Sequence, residues 1–261
     1  MRPGRLLGLA LLAAALLFAL LGPPLMEVSP AQQDLSNILA PPSPQFWLGT
    51  DHLGRSVLAR LAFATRLSLL LGLASVGVAA AAGIASGLAA AWFGGRLELA
   101  LTAVADAVLA IPGLLVVVLV VAVAPGSVWP LFGGLALAMW VEWFRMTRAT
   151  AASCLASPAV EAAQLLGLGT GHVLLGHVAP PLLPLWGSLC AFGLAQAVLT
   201  IGGLGFIGVG LRPPEAEWGL MMAESLPHYA ALPMALLAPA ACLSLVVLAL
   251  QLLSGRRTVA A

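Results

Sequence analysis

An all-helical integral membrane protein is the fold class this sequence predicts, and three observations predict it. Of its 261 residues, 61% are apolar and only 8% carry charge, against about 25% charged in a soluble domain. So few charges cannot wet a surface, and lipid is therefore the solvent for most of the chain. Several apolar runs exceed the roughly 18 residues that mark a spanning helix. The runs are rich in Leu and Ala and lack period-2 alternation, which removes the β-barrel, the other way to satisfy backbone groups in lipid.

The elements follow in order. The N-terminus carries Arg2 and Arg5 and then an apolar run. That pattern also fits a signal peptide, but "GPP" rather than a small-x-small cleavage site follows it. An uncleaved first span, Leu6 to about Leu25, is expected. A mostly polar segment, Met26 to Arg66, comes next. Its second half places Arg55, Leu58, Leu61 and Ala62 at helical spacing, which predicts an amphipathic helix on the membrane surface. The second span runs from about Leu67 to Phe93 and is full of Gly, Ala and Ser, residues that let helices approach closely in lipid. After the turn "GGRLE" a third span covers about Leu99 to Ala124, with Pro112 inside it. A fourth runs from about Leu131 to Phe144. The fifth begins after Pro180, Pro181 and Pro184 and reaches about Gly210. "RPPEAEWGLMMAESLPH" reads as a surface loop or short helix, and a sixth span covers about Tyr229 to Leu253.

Six spans put both termini on one side. That side collects Arg2, Arg5, Arg96, Arg145, Arg148, Arg256 and Arg257, against Arg55, Arg60, Arg66 and Arg212 on the other. The positive-inside rule then places the termini in the cytoplasm. Near-zero net charge gives no nucleic-acid footprint. Every basic residue is Arg, and a phosphate-binding P-loop needs a Lys, so this chain is not itself a standard ATPase. Cys154, Cys190 and Cys242 match no metal or redox spacing and read as buried thiols.

One segment breaks the apolar pattern: "SPAVEAAQLLGLGTGHVLLGHVAPP", Ser157 to Pro181. Ser157 can cap a helix through its hydroxyl, and Pro158 suits the first helical position. Glu161 lies near the positive end of the helix dipole. Gly167 and Gly169 can end the helix. A helix of about two or three turns is unstable alone in water and must pack on its own bundle or on a partner.

This segment resembles the EAA loop of type I ABC importer permeases: E-A-A, three residues, Gly, nine residues, an apolar or His position, then Pro. Glu161, Ala162, Ala163, Gly167, His177 and Pro180 fall on that pattern. His177 departs from the general pattern's Ile and matches the dipeptide, oligopeptide and nickel branch. "FWLGTDHLGRSVLARLAFATRLSL", "DAVLAIP" (Asp106 to Pro112) and "GLGFIGVGLRPPEAEWG" (Gly203 to Gly219) resemble the same branch, and its C-type subunit, in the same order.

The resemblance implies a six-helix type I importer permease fold with cytoplasmic termini in a bacterial inner membrane. Residues 1–66 would hold the first helix and an extracytoplasmic segment. Residues 67–261 would form the permease core, with the coupling loop at about 150–181. The implied partners are a second, homologous permease in a heterodimer, two ABC ATPase subunits or domains, an extracytoplasmic substrate-binding protein and the bilayer. The chain would hold no cofactor, since ATP and Mg²⁺ are bound by the ATPases. Glu161 would face polar or basic groups of the ATPase, Ala162 and Ala163 would permit close approach, and Gly167 would provide the bend. The implied cargo is nickel or another metal chelate, or a short peptide.

Other residues carry open readings. Asp106, early in span three, is either paired with Arg96 or Arg145 or serves transport or gating. Glu142 and Arg145 lie three apart and read as an interfacial ion pair, with Glu142 a second translocation candidate. Thr50 or Asp51 is expected to cap the following helix, with an Asp51–Arg55 salt bridge as the alternative. His52 and His228 fall outside, His172 and His177 inside, with no metal-chelating spacing. Met221 and Met222 have two readings, a contact to a soft metal or, favoured, ordinary interface filling. Trp47, Trp129 and Trp218 are expected in an outer aromatic belt, Trp92 and Trp143 in an inner one. An ion-coupled secondary transporter and a non-transport membrane scaffold remain as alternative functions, without the internal repeat the former would show.

Overall fold

A computed structural model describes residues 3–26 and 28–254. Those residues are helical throughout their regular structure, with no strand among them: α1 Pro3–Leu25, α2 Val57–Phe93, α3 Gly95–Leu109, α4 Gly113–Val121, α5 Val128–Leu155, α6 Pro158–Leu165, α7 Thr170–Val173, α8 Ala179–Phe206, α9 Trp218–Ser225 and α10 Pro233–Ser254. Four segments are long and apolar enough to cross a membrane: α1, α2, Thr170–Phe206 and α10. The α3–α4 pair makes a fifth if it is one broken span. α5 has the length, at 28 residues, but Glu142, Arg145, Arg148 and its tryptophans lower its hydropathy. Arg2, Arg256 and Arg257, which entered the orientation argument, lie outside the described residues.

α2 is the spine. It packs along α5, with α1 and α8 on its other sides, and α1 lies against α10. Its 37 residues span about 56 Å at 1.5 Å per residue, well beyond a hydrocarbon core of about 30 Å. The surface helix expected over 55–66 is therefore the N-terminal end of this one rod, and the division expected at residue 66 falls inside it. Nothing between Leu61 and Leu67 can break a helix, and the Thr65 hydroxyl donates back to the Leu61 carbonyl at 2.7 Å. Ser56, rather than Thr50 or Asp51, caps the helix, its hydroxyl accepting from the Ala59 N–H at 3.3 Å.

Prolines act differently at two places. Pro112 stops the expected third span: α3 and α4 meet at 82°, because proline lacks the N–H and clashes with the preceding turn. Pro180, Pro181 and Pro184 do not delay the next span as expected. They sit inside α8, and a wide π-helical turn, Leu174–Val178, comes directly before them. Such a turn accommodates carbonyls that lose their usual donors.

α9 is not a surface element. Trp218 and Met221 are buried in the main core with Val198, Ala197 and Leu250, and Trp218 donates its indole N–H to Thr65 Oγ1 at 3.3 Å. Trp218 and Trp143 are thus core residues, not belt residues, whereas Trp47 and Trp129 stay exposed as a belt requires. α9 can approach α8 so closely because residue 219 is glycine: a Cβ there would lie 1.9 Å from the Gly202 carbonyl oxygen. The thiols also differ from expectation. Cys190 is exposed, and Cys154 and Cys242 are half-buried.

Candidate functional site

Local chemistry shapes the α5–α8 connection. Ser157 occupies the capping position, but its hydroxyl makes no cap bond; its carbonyl receives the Val160 and Glu161 N–H groups at 3.0 and 3.1 Å. Pro158 opens α6 as expected. Gly167 closes it in the left-handed region, at φ +75°. The Gly167 N–H donates to the Gln164 carbonyl at 2.9 Å and the Leu168 N–H to the Ala163 carbonyl at 3.1 Å. This pair of bonds satisfies carbonyls that the helix end would leave orphaned.

α6 has two faces. Val160 and Ala163 are buried against Val173, Trp92 and Leu155. Glu161, Ala162 and Gln164 point away, and so do Leu165 and Leu166, which are 83% and 80% exposed. Ala163 is therefore spent on the chain's own bundle, and Ala162 alone of the two alanines faces outward. The outer face is also less polar than the sequence suggests, since two bare leucines flank the carboxylate. His177 is half-buried in the π turn, edge-on to His172 at 6.3 Å between ring centroids, and Pro180 is exposed in the first turn of α8.

The acids of α3 and α5 do not pair as expected. Asp106 is exposed and bonded to neither Arg96 nor Arg145. Glu142 and Arg145 form no ion pair. Instead Arg148 reaches across to Glu98 on α3 at 2.6 Å and lies over the Phe144 ring at 5.9 Å. Glu142 opens onto a cavity of about 490 Å³ between α4, α5 and α8, joined there by Gln196 and Thr200. The two α8 residues are a helical turn apart, a polar pair in an otherwise apolar run of the sequence.

A third group lies at the far end of the molecule. Asp51 Oδ2 accepts from Arg55 Nε and Arg60 Nη1, both at 2.7 Å, and Glu224 Oε2 accepts from Arg55 Nη2 at 3.1 Å and Arg60 Nη1 at 2.7 Å. Both guanidinium groups are 2% exposed. The Asp51–Arg55 bridge, the alternative to a cap, is present, and Arg60 and Glu224 complete it. His52 and His228 stack beside this cluster at 5.5 Å. Burial raises the Asp51 pKa, yet hydrogen bonds from the Leu53 and Arg55 N–H groups and the charges of Arg55 and Arg60 outweigh it and hold the carboxyl below its ordinary value.

Glu217, which caps α9 by accepting from the Gly219 and Leu220 N–H groups at 2.8 and 3.0 Å, behaves oppositely. Burial pushes its pKa up to about 7, only partly offset by those two bonds. For Glu217 the folded state binds more protons than the unfolded one between the ordinary value and about 7, so its contribution falls as pH rises through that window. For Asp51 stability is lost only as pH falls below the ordinary carboxylate range. Thermal unfolding in detergent between pH 5 and 8 is thus expected to show a decline in stability with pH, and Glu217→Gln is expected to flatten it. An unchanged slope in Glu217→Gln would remove Glu217 as its source.

Comparison with known proteins agrees with this architecture. The family model described as "Binding-protein-dependent transport system inner membrane component" matches residues 82–259. The nickel transport system permease protein NikC of Escherichia coli (strain K12) is 31% identical over 246 residues, covering 94% of this chain and 89% of that protein. The di/tripeptide transport system permease protein DppC of Pseudomonas aeruginosa (strain UCBPP-PA14) is 34% identical over 229 residues, covering 85% and 75%. The dipeptide transport system permease protein DppC of Alkalihalophilus pseudofirmus is 29% identical over 248 residues, covering 95% and 82%. Matched over most of its length and built of apolar helices, the chain belongs to the binding-protein-dependent transport system inner membrane components: it is a multi-pass bacterial inner-membrane permease subunit of an ABC importer of the dipeptide/oligopeptide/nickel family, a non-catalytic part of a machine whose ATP is hydrolysed by separate subunits.

Proposed function

We propose that this chain forms half of the translocation path for short peptides or for nickel and similar metal chelates, the cargoes named for its relatives, and that α6 couples it to the ATPases. The observation that carries the coupling role is the two-faced α6. One face is anchored through Val160 and Ala163, and the other offers Glu161, Leu165 and Leu166 with nothing covering them. A short rigid helix so anchored transmits a push from a docked partner into α5 and α8. Gly167 provides the bend, and His177 and Pro180 belong to the turn that carries the push into α8. The second half of the path is a homologous permease. Two ATPase subunits or domains hold the ATP and Mg²⁺, and this chain holds no cofactor. A substrate-binding protein delivers cargo from outside.

Six spans, α1, α2, α3–α4, α5, α7–α8 and α10, complete the reading. α1 and α10 run side by side, with Gly4 and Gly8 against Leu252, so the first and last described helices begin and end on one face. The excess of arginine makes that face cytoplasmic, and α6 lies on it. Asp106 and Glu142, unpaired in the membrane region, belong to the path or its gate.

The test is a cysteine at Leu165, in a chain with Cys154, Cys190 and Cys242 changed to serine. In inside-out vesicles carrying the whole importer it is expected to react with a membrane-impermeant maleimide and to cross-link to an ATPase subunit. Labelling from the outside of intact cells, or cross-links that never include an ATPase, would refute the reading.

A further inference from the structure

The α4–α5–α8 cavity is apolar apart from three side chains: Glu142 from α5, and Gln196 and Thr200 from α8. None of the three has a side-chain hydrogen bond or ion pair among the described residues. Glu142 lies six residues along α5 from Arg148, about 9 Å inward at 1.5 Å per residue. With α5 read as a span, as proposed above, the Arg148–Glu98 pair marks its charged end and Glu142 lies one turn further in than Arg145; Glu142 and Gln196 are exposed on the cavity and Thr200 is half-buried. An unpaired carboxylate there is costly, and such groups mark cargo or ion routes.

A second observation points the same way. Glu142 also lines another cavity, of about 630 Å³, on the side of Leu109 and Arg145. Gly113 lines the first cavity and Leu109 the second, so the 82° break between α3 and α4 falls between them. Broken spans whose irregular backbone lines a cavity are the common way to build a mid-membrane site. Glu142 therefore stands where the two cavities meet, beside the break. Arg145 lines only the second cavity, which leaves the first with a carboxylate and no cation.

The donor set names the ligand. A carboxylate, an amide oxygen and a hydroxyl are three oxygen acceptors, and a primary ammonium carries three donors. Low-dielectric walls strengthen that pairing. A transition metal such as nickel favours imidazole or thiolate, and neither lines the cavity. We propose that Glu142, with Gln196 and Thr200, recognises a primary ammonium group of the cargo as it crosses the membrane. The proposal rests on the reading of this chain as a path-forming permease, and it assigns amine-bearing cargo rather than a metal ion to this cavity.

The experiment uses the whole reconstituted importer with Thr200→Cys in the background that lacks the three native cysteines. Modification of that cysteine by 2-aminoethyl methanethiosulfonate is expected to be at least about tenfold faster than by the anionic sulfonatoethyl reagent, the range of charge focusing in a low-dielectric cleft. Adding Glu142→Gln is expected to bring the ratio close to one. Alanyl-alanine is expected to protect the cysteine, and its N-acetyl derivative is not. A ratio unchanged by Glu142→Gln, or protection by Ni²⁺ but not by alanyl-alanine, overturns the proposal. ATP-driven uptake of alanyl-alanine separates the two readings. Full uptake by Glu142→Gln removes the ammonium site and leaves the permease role intact, whereas wild-type chain with its ATPases that shows no ATP-driven uptake of dipeptide or of Ni²⁺ removes the permease role itself.

Discussion

Asp51→Ala is expected to destabilise the protein by about 3–5 kcal/mol, the cost of removing one partner from a buried ion pair. Against total stabilities of about 5–15 kcal/mol that is a large fraction. The carboxylate accepts from Arg55 Nε and Arg60 Nη1, and from the Leu53 and Arg55 backbone N–H groups at 2.9 and 3.0 Å. Without it, two buried guanidinium groups share Glu224 alone, and one positive charge is left uncompensated. The Arg60 Nε and Nη2 nitrogens already lack partners, so the cluster has no spare acceptor to turn to. Thermal unfolding in detergent measures the loss. Combining Asp51→Ala with Arg60→Leu restores neutrality, with Arg55 left on Glu224, and is expected to recover part of the lost stability. A single substitution within about 0.5 kcal/mol of wild type, the range of ordinary surface changes, would show that the cluster does not hold the N-terminal end of α2 to α9.

Charge reversal at Glu161 is expected to act on function and leave the fold nearly intact. Glu161 is exposed, and its side chain bonds to nothing in its own bundle. Its role in α6 is confined to the helix dipole, worth about 0.3–1 kcal/mol. In Glu161→Arg, ATP-driven uptake by the reconstituted importer is expected to fall at least about tenfold, the effect of about 1.4 kcal/mol on an equilibrium, while the melting temperature moves by a few degrees at most. The ATPases are expected to keep hydrolysing ATP. Wild-type uptake in this variant would show that α6 is not gripped through its acidic residue. Ala163→Leu is the contrasting change. It enlarges a side chain wedged between Val160, Val173 and Trp92, and overpacking costs about 1–3 kcal/mol, so its defect is expected to appear first in stability.

These two sites differ in how far the sequence displays them. α6 is legible because its signals are local: proline at the first position, a carboxylate in the first turn, glycine just past the end. Each acts within one helical turn, so the residues that specify it are neighbours in the chain. Its inward and outward faces are not legible, since alanine and leucine suit either. The N-terminal half of the other cluster, Asp51 and Arg55, is likewise visible as a short-range pair. Its completion by Glu224 joins residues 169 positions apart, and no local pattern announces that.

By itself the sequence determined the solvent, the helical class and the approximate place of the apolar spans, because these follow from composition and run length. It also determined the borders of α6 and, through its motifs, the family. Tertiary structure alone decided that α2 runs unbroken from Val57 to Phe93, that Pro112 bends its span while Pro184 is absorbed, and that Trp143 and Trp218 turn inward. It alone brought Glu142 into one cavity with Gln196 and Thr200. The physical reason is the solvent. In water, polar and apolar faces of a helix are sorted by the sequence itself. In lipid the outside is as apolar as the core, so which face turns inward is left to packing against neighbouring helices.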